Sequence, residues 1–101
     1  VAADEAGCFA MVIEGVAEDL AVQITRQVSC PTVGIGASAS CDGQILVTDD
    51  LLGMFDWTPR FVRRYADLRS EIGKAVDGYA SDVRARAFPG EKETYSLKKQ
   101  P

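Results

Sequence analysis

Phe9-Ala10-Met11-Val12-Ile13-Glu14-Gly15 is the stretch that decides the fold. Its apolar residues run unbroken to Ile13 and stop on a carboxylate. With no polar alternation, Phe9 to Ile13 reads as a strand buried on both faces, the habit of parallel sheets covered by helices. The next segment changes period. Val16, Leu20, Ile24 and Val28 recur every fourth residue with Ala21 beside them, which predicts an amphipathic helix. Glu18 and Asp19 in its first turn and Arg26 in its last complement the helix dipole, and Pro31 stops it. Thr32 to Gly36 then reads as a second strand and Gln44 to Thr48 as a third, ending at Asp49-Asp50. Strand and helix in alternation predict an α/β chain with a parallel sheet.

Further out the signals are shorter. Val1 to Ala6 reads as the end of a helix with Gly7 as its C-cap. Ala37 to Gly43 is small and polar, a loop, and Leu51 to Phe55 a turn or half-helix. Thr58-Pro59 supplies an N-cap and a first-turn proline for a helix with Phe61, Val62 and Tyr65 inward. A second helix starts near Ser70, carries Ile72, Val76, Tyr79, Ala80 and Val83 on one face, and ends at Phe88-Pro89-Gly90. Residues 1–90 are thus expected to belong to one domain and residues 91–101 to form a polar, mobile tail.

Composition narrows the partners. A formal net charge of −4 disfavours nucleic acid, where affinity rests on neutralising phosphates. Hydrophobic residues make up 47% of the chain, enough for a core, yet no apolar run has the length of a membrane span, and no secretory leader is visible. Cys8, Cys30 and Cys41 show no CxxC spacing and read as reduced thiols. Histidine is absent, so acid–base chemistry must come from carboxylate, lysine, tyrosine or cysteine. A start at Val1 and a length of 101 residues suit a piece of something larger. By itself such a chain would bury roughly 65% of its unfolded surface.

Glu14 is the foremost candidate for chemistry. It ends a buried strand, where (β/α)8 enzymes assemble their active sites. Apolar walls from Met11 to Ile13 would disfavour its charged form and suit it to accept a proton near neutral pH. The same position also fits an acid that caps the next helix or pairs with an arginine. Gly34-Ile35-Gly36-Ala37-Ser38 lacks the third glycine of a dinucleotide fingerprint. Its glycines fit better a strand that leaves room for substrate or neighbouring side chains. Asp42, Asp49 and Asp50 invite a Mg2+ site, but Asp42-Gly43 is ordinary turn chemistry.

Ile13-Glu14-Gly15, Pro31-Thr32-Val33-Gly34-Ile35-Gly36-Ala37 and Cys41-Asp42-Gly43-Gln44-Ile45-Leu46-Val47, in this order and spacing, resemble the C-terminal part of the ketopantoate hydroxymethyltransferase (3-methyl-2-oxobutanoate hydroxymethyltransferase) family. The likeness runs from Glu5-Ala6-Gly7 to Phe88-Pro89-Gly90. It implies the last three βα units of a (β/α)8 TIM barrel of the phosphoenolpyruvate/pyruvate superfamily type, a fold of about 250 residues. It also implies transfer of a one-carbon unit from 5,10-methylenetetrahydrofolate to 3-methyl-2-oxobutanoate, giving 2-dehydropantoate for pantothenate synthesis. Glu14 falls on the family's proton acceptor. Mg2+ is implied as cofactor with its aspartate ligands in earlier strands, so no metal ligand is assigned to this chain. A cytoplasmic homo-oligomer is implied for the intact enzyme, with this piece inactive by itself.

Arg63-Arg64 and Arg84 to Arg86 would then be either sites for an anionic folate tail or, as preferred, solvated helix faces. Phe55 and Trp57 would either stack on a pteridine or pack. Two departures from the family stand out: Ser38 where glycine is common, and Glu93-Thr94 where a histidine often lies. Another barrel lyase of the same superfamily and a small non-enzymatic α/β interaction module are the alternatives.

Overall fold

The computed structural model describes residues 1–97. The chain divides into two compact units, one of residues 1–66 and one from Asp67 onward. In the first, α1 (Ala2–Glu5), β1 (Met11–Glu14), α2 (Glu18–Gln27), β2 (Thr32–Ile35), β3 (Gly43–Gln44) and α3 (Thr48–Leu51) follow one another. The three strands form a parallel sheet in the order β1-β2-β3. Met11, Val12, Ile13 and Glu14 stand opposite Thr32, Val33, Gly34 and Ile35.

Strand alternation sorts these residues onto two faces. Ile13, 5% exposed, packs with Ala21 and Cys41, and Met11, Val16, Ile24 and Ala37 close around them. Burying a side chain of this size contributes roughly 1.5–3 kcal/mol. Met11, Ile13, Thr32 and Gly34 therefore face α2, and Val12, Glu14, Val33 and Ile35 share the opposite face. β1 is shorter than the apolar run and covered on one face only: Phe9 is 91% exposed and Val12 59%. The expectation of burial on both faces does not hold for β1: Val12 and Glu14 are exposed, although Ile35 beside them on β2 is buried.

A polar knot sits under this core. Thr32 is fully buried; its hydroxyl lies 2.9 Å from that of Thr25, and its N–H donates to Asp42 Oδ2 at 2.8 Å. The Asp42 N–H returns a bond to Thr32 Oγ1 at 3.3 Å. Asp42 thus ties the loop after β2 back to the start of that strand. Just ahead of β2, the Asp4 carboxylate accepts from the Ser29 N–H at 3.0 Å, the Ser29 hydroxyl at 2.9 Å and the Cys30 N–H at 3.2 Å. Those bonds, the Ser29 N–H foremost, hold Asp4 below the usual carboxylate range.

Two expectations are corrected. The third strand was to span Gln44 to Thr48, but pairing stops at Gln44, apart from the Ile45 N–H donating to Gly34 O at 3.0 Å. β2 ends at Ile35 and the chain turns away at Gly36 (φ +65°), so β3 has no neighbour to continue against. Asp49 and Asp50 lie instead in the first turn of α3, where carboxylates suit the helix dipole. The helix expected from Thr58-Pro59 is a single turn, Val62 N–H to Pro59 O at 3.0 Å. Tyr65 donates its N–H to Leu51 O at 2.7 Å and Phe61 lies against Gly36, and these anchors draw the backbone out of helical geometry.

The second unit is built on α4 (Leu68–Arg84), whose Ile72, Val76, Tyr79 and Val83 form the expected stripe and are exposed. Tyr79 meets Phe88 edge-on with ring centroids 5.4 Å apart. The Gly90 N–H donates to Glu93 Oε1 at 2.7 Å across a 3-10 turn, Glu91–Glu93. The end of the expected mobile tail, residues 98–101, lies outside the described residues.

Candidate active site

β1 and β2 end level, with Glu14 opposite Ile35 and the Gly15 N–H donating to Ile35 O at 2.9 Å. Gly15 takes φ +60°, a left-handed turn that favours glycine, and sends the chain into α2. Glu14 is thereby held at the C-terminal end of β1, exposed, on the face away from α2. The apolar walls expected around it are not there. Met11 and Ile13 point to the opposite face, and Val12 and Ile35 are the apolar residues on its own.

Beside Glu14 opens a cleft of about 1270 Å³ at the C-terminal edge of the sheet. Gly15 forms part of its wall, though Glu14 itself does not; Glu18, Ser38, Gln44, Arg60 and Phe61 contribute others. One loop shapes it. Ser38 is buried; its hydroxyl donates to Glu18 Oε2 at 3.2 Å and accepts the Ser40 N–H at 3.0 Å. Gln44 Nε2 donates to Ser38 O at 2.7 Å. A Cβ on Gly34 would lie 3.1 Å from Cys41 Sγ and 3.2 Å from Gln44 Oε1, so this glycine makes room for neighbouring side chains, as the strand reading anticipates. Buried Ser38 thus links the first turn of α2 to the loop after β2.

The other candidates disperse. Asp42 is spent on Thr32, and Asp49 and Asp50 stand in α3. Among the described residues no group of three or more His, Cys, Asp or Glu is placed to hold a metal ion. Arg63 lines the cleft with its guanidinium 6.0 Å from the Tyr65 ring centroid and donates to Tyr65 Oη at 3.3 Å. Arg64 donates to Asp56 O at 3.0 Å. Neither is on a helix, contrary to expectation, while Arg84 closes α4. Phe55 and Trp57 are exposed and form no part of the cleft wall. Sequence reasoning did not single out Gln44, or Glu18 as part of the site. For Glu18 a signal existed: α2 starts four residues after Glu14, so its first turn must face the strand's C-terminal edge.

The family model of ketopantoate hydroxymethyltransferase matches residues 1–91. The 3-methyl-2-oxobutanoate hydroxymethyltransferase of Hyphomonas neptunium is 72% identical over 99 residues, covering 98% of this chain and 36% of that protein. The proteins of the same name from Phenylobacterium zucineum and Caulobacter vibrioides are 70% and 68% identical, over 93% and 94% of this chain and 34% of each relative. The chain spans about a third of the length of these relatives. A match over nine-tenths of its residues, together with these identities, establishes that the chain belongs to the ketopantoate hydroxymethyltransferase family.

Proposed function

We propose that this chain supplies the last three βα units of a (β/α)8 barrel, residues 1–90 with 91–101 as a tail. The whole barrel, a cytoplasmic homo-oligomer, would transfer a hydroxymethyl group to 3-methyl-2-oxobutanoate. The observation that carries the reading is the place of Glu14, at the C-terminal end of a parallel strand on the face free of helix. In a closed barrel that face is the interior, and that end is where reactions occur.

The reaction removes a proton from the carbon next to the carbonyl, joins that carbon to the one-carbon unit of 5,10-methylenetetrahydrofolate, and releases tetrahydrofolate as the carbon–nitrogen bonds to the carrier break, with water supplying the hydroxyl oxygen. Glu14 is the proton acceptor of this scheme. Its carboxylate stands free on the open face, and closing the barrel over it would exclude water and raise its basicity. Gly15 lets the backbone turn directly behind it, and the Ser38–Glu18 and Gln44–Ser38 bonds fix the neighbouring loop. Arg60 and Arg63 bring positive charge to a cleft meant for acidic reactants. Mg2+ belongs to this reading as a ligand of segments outside these 101 residues. The carboxylates described here do not gather into a site for it, and no step is drawn through it.

The test is to supply the full-length polypeptide carrying this sequence with methylenetetrahydrofolate and a panel of 2-oxo acids. Formation of 2-dehydropantoate from 3-methyl-2-oxobutanoate, in clear preference to the other acids, is expected. Turnover of a different 2-oxo acid would mean another barrel lyase, and no turnover at all would remove the enzyme reading.

A further inference from the structure

Cys8 lies just ahead of β1 and Cys30 just ahead of β2. These strands are parallel neighbours, so the two thiols meet at the N-terminal edge of the sheet, the end opposite Glu14. Their sulfurs are 3.6 Å apart, and both side chains are half-buried and unbridged. The Cys30 backbone is held by Asp4, while Cys41 is buried elsewhere, 3.8 Å from Thr25 Oγ1. We propose that Cys8 and Cys30 are a redox pair that closes to an intramolecular disulfide by exchange with a low-molecular-weight disulfide such as oxidised glutathione.

A disulfide needs its sulfurs about 2.05 Å apart, so closure asks for a movement of about 1.5 Å between two side chains already in contact. Partial burial, then the hydrogen bond with Cys8 and the nearby Asp4 carboxylate, push the Cys30 thiol up to about 11. Cys8, as thiolate, attacks one sulfur of the oxidant and expels the other half as a thiolate. Cys30 then loses its proton to water and attacks Cys8 Sγ, expelling the second half. Two electrons pass from the cysteines to the oxidant, which leaves as two thiols, and the S–S bond remains. The bond links positions 22 residues apart and staples the entries of two adjacent strands. It lies at the edge away from Glu14 and so does not depend on the proposed reaction.

The full-length polypeptide carrying this sequence is equilibrated in glutathione buffers of rising oxidised fraction, quenched by alkylation and mapped by mass spectrometry. Cys8 and Cys30 are expected to become unreactive together and to appear as one linked peptide, reversed by excess thiol. The unfolding midpoint should rise on oxidation in the parent and in Cys41→Ser, and stay constant in Cys8→Ser and in Cys30→Ser. The proposal is overturned if both sulfurs remain alkylatable, if each carries only glutathione, or if the link forms solely between separate chains.

Discussion

Gly36 and Phe61 share one volume: a Cβ built on the glycine would lie 2.5 Å from Phe61 Cγ and 2.7 Å from its Cδ2. The glycine also holds φ +65°, so the turn at the end of β2 and the seat of the aromatic ring are a single requirement. Gly36→Ala should cost about 1–3 kcal/mol for the left-handed backbone, and more for moving the ring. Denaturant unfolding measures the loss. Phe61→Ala added to it should recover the steric part, making the pair less than additive. Strict additivity would contradict the contact.

Thr32→Val keeps shape and removes the hydroxyl that meets Thr25 and receives the Asp42 N–H. With the side chain fully buried, the Asp42 N–H loses its acceptor and Thr25 keeps only Cys41 Sγ at 3.8 Å, so a loss of about 1–3 kcal/mol is expected. Equal stability of parent and variant in urea would show that water replaces the hydroxyl.

In the full-length enzyme Glu14→Gln should lower turnover about 10²–10⁴-fold, the range of a general base, with folding unchanged. Asp49→Asn, in the first turn of α3, should be mild. Normal turnover in the first variant with a dead second one would move the chemistry to the first turn of α3.

Asp4 titrates below its ordinary value of 3.8 because its charged form accepts the Ser29 and Cys30 bonds. Its contribution to stability is therefore present above that value and lost as pH falls through the lower folded one. Asp4→Asn should narrow the stability gap between pH 6 and pH 3, and an unchanged gap would show that the bonds do not favour the carboxylate.

Much of this was legible because β1, α2 and β2 write their own periods. Ile13, Ala21 and Ile24 meet as the apolar run and the fourfold spacing of α2 indicate, although only one face of β1 is covered. The place of Glu14 at the end of β1 was legible too, as the point where an apolar run stops. What escaped depends on partners distant in the chain. Gln44 to Thr48 has the composition of a strand, yet β2 turns off at Gly36 and leaves nothing to pair with. Thr58-Pro59 carries a valid helix start, but Leu51 and Gly36 capture Tyr65 and Phe61 first. Ser38 reads as a loop residue until Glu18 and Gln44 are brought to it by the sheet.

The division of β1 into two faces has an evolutionary consequence. Met11 and Ile13 answer to helix packing, while Val12 and Glu14 do not touch α2. A saturation scan along these four positions would therefore resolve into two interleaved tolerance profiles, one limited by whether the chain folds and one by what the open face can accommodate. The open face can change at every second residue without renegotiating the core, and a single strand carries inheritance for both.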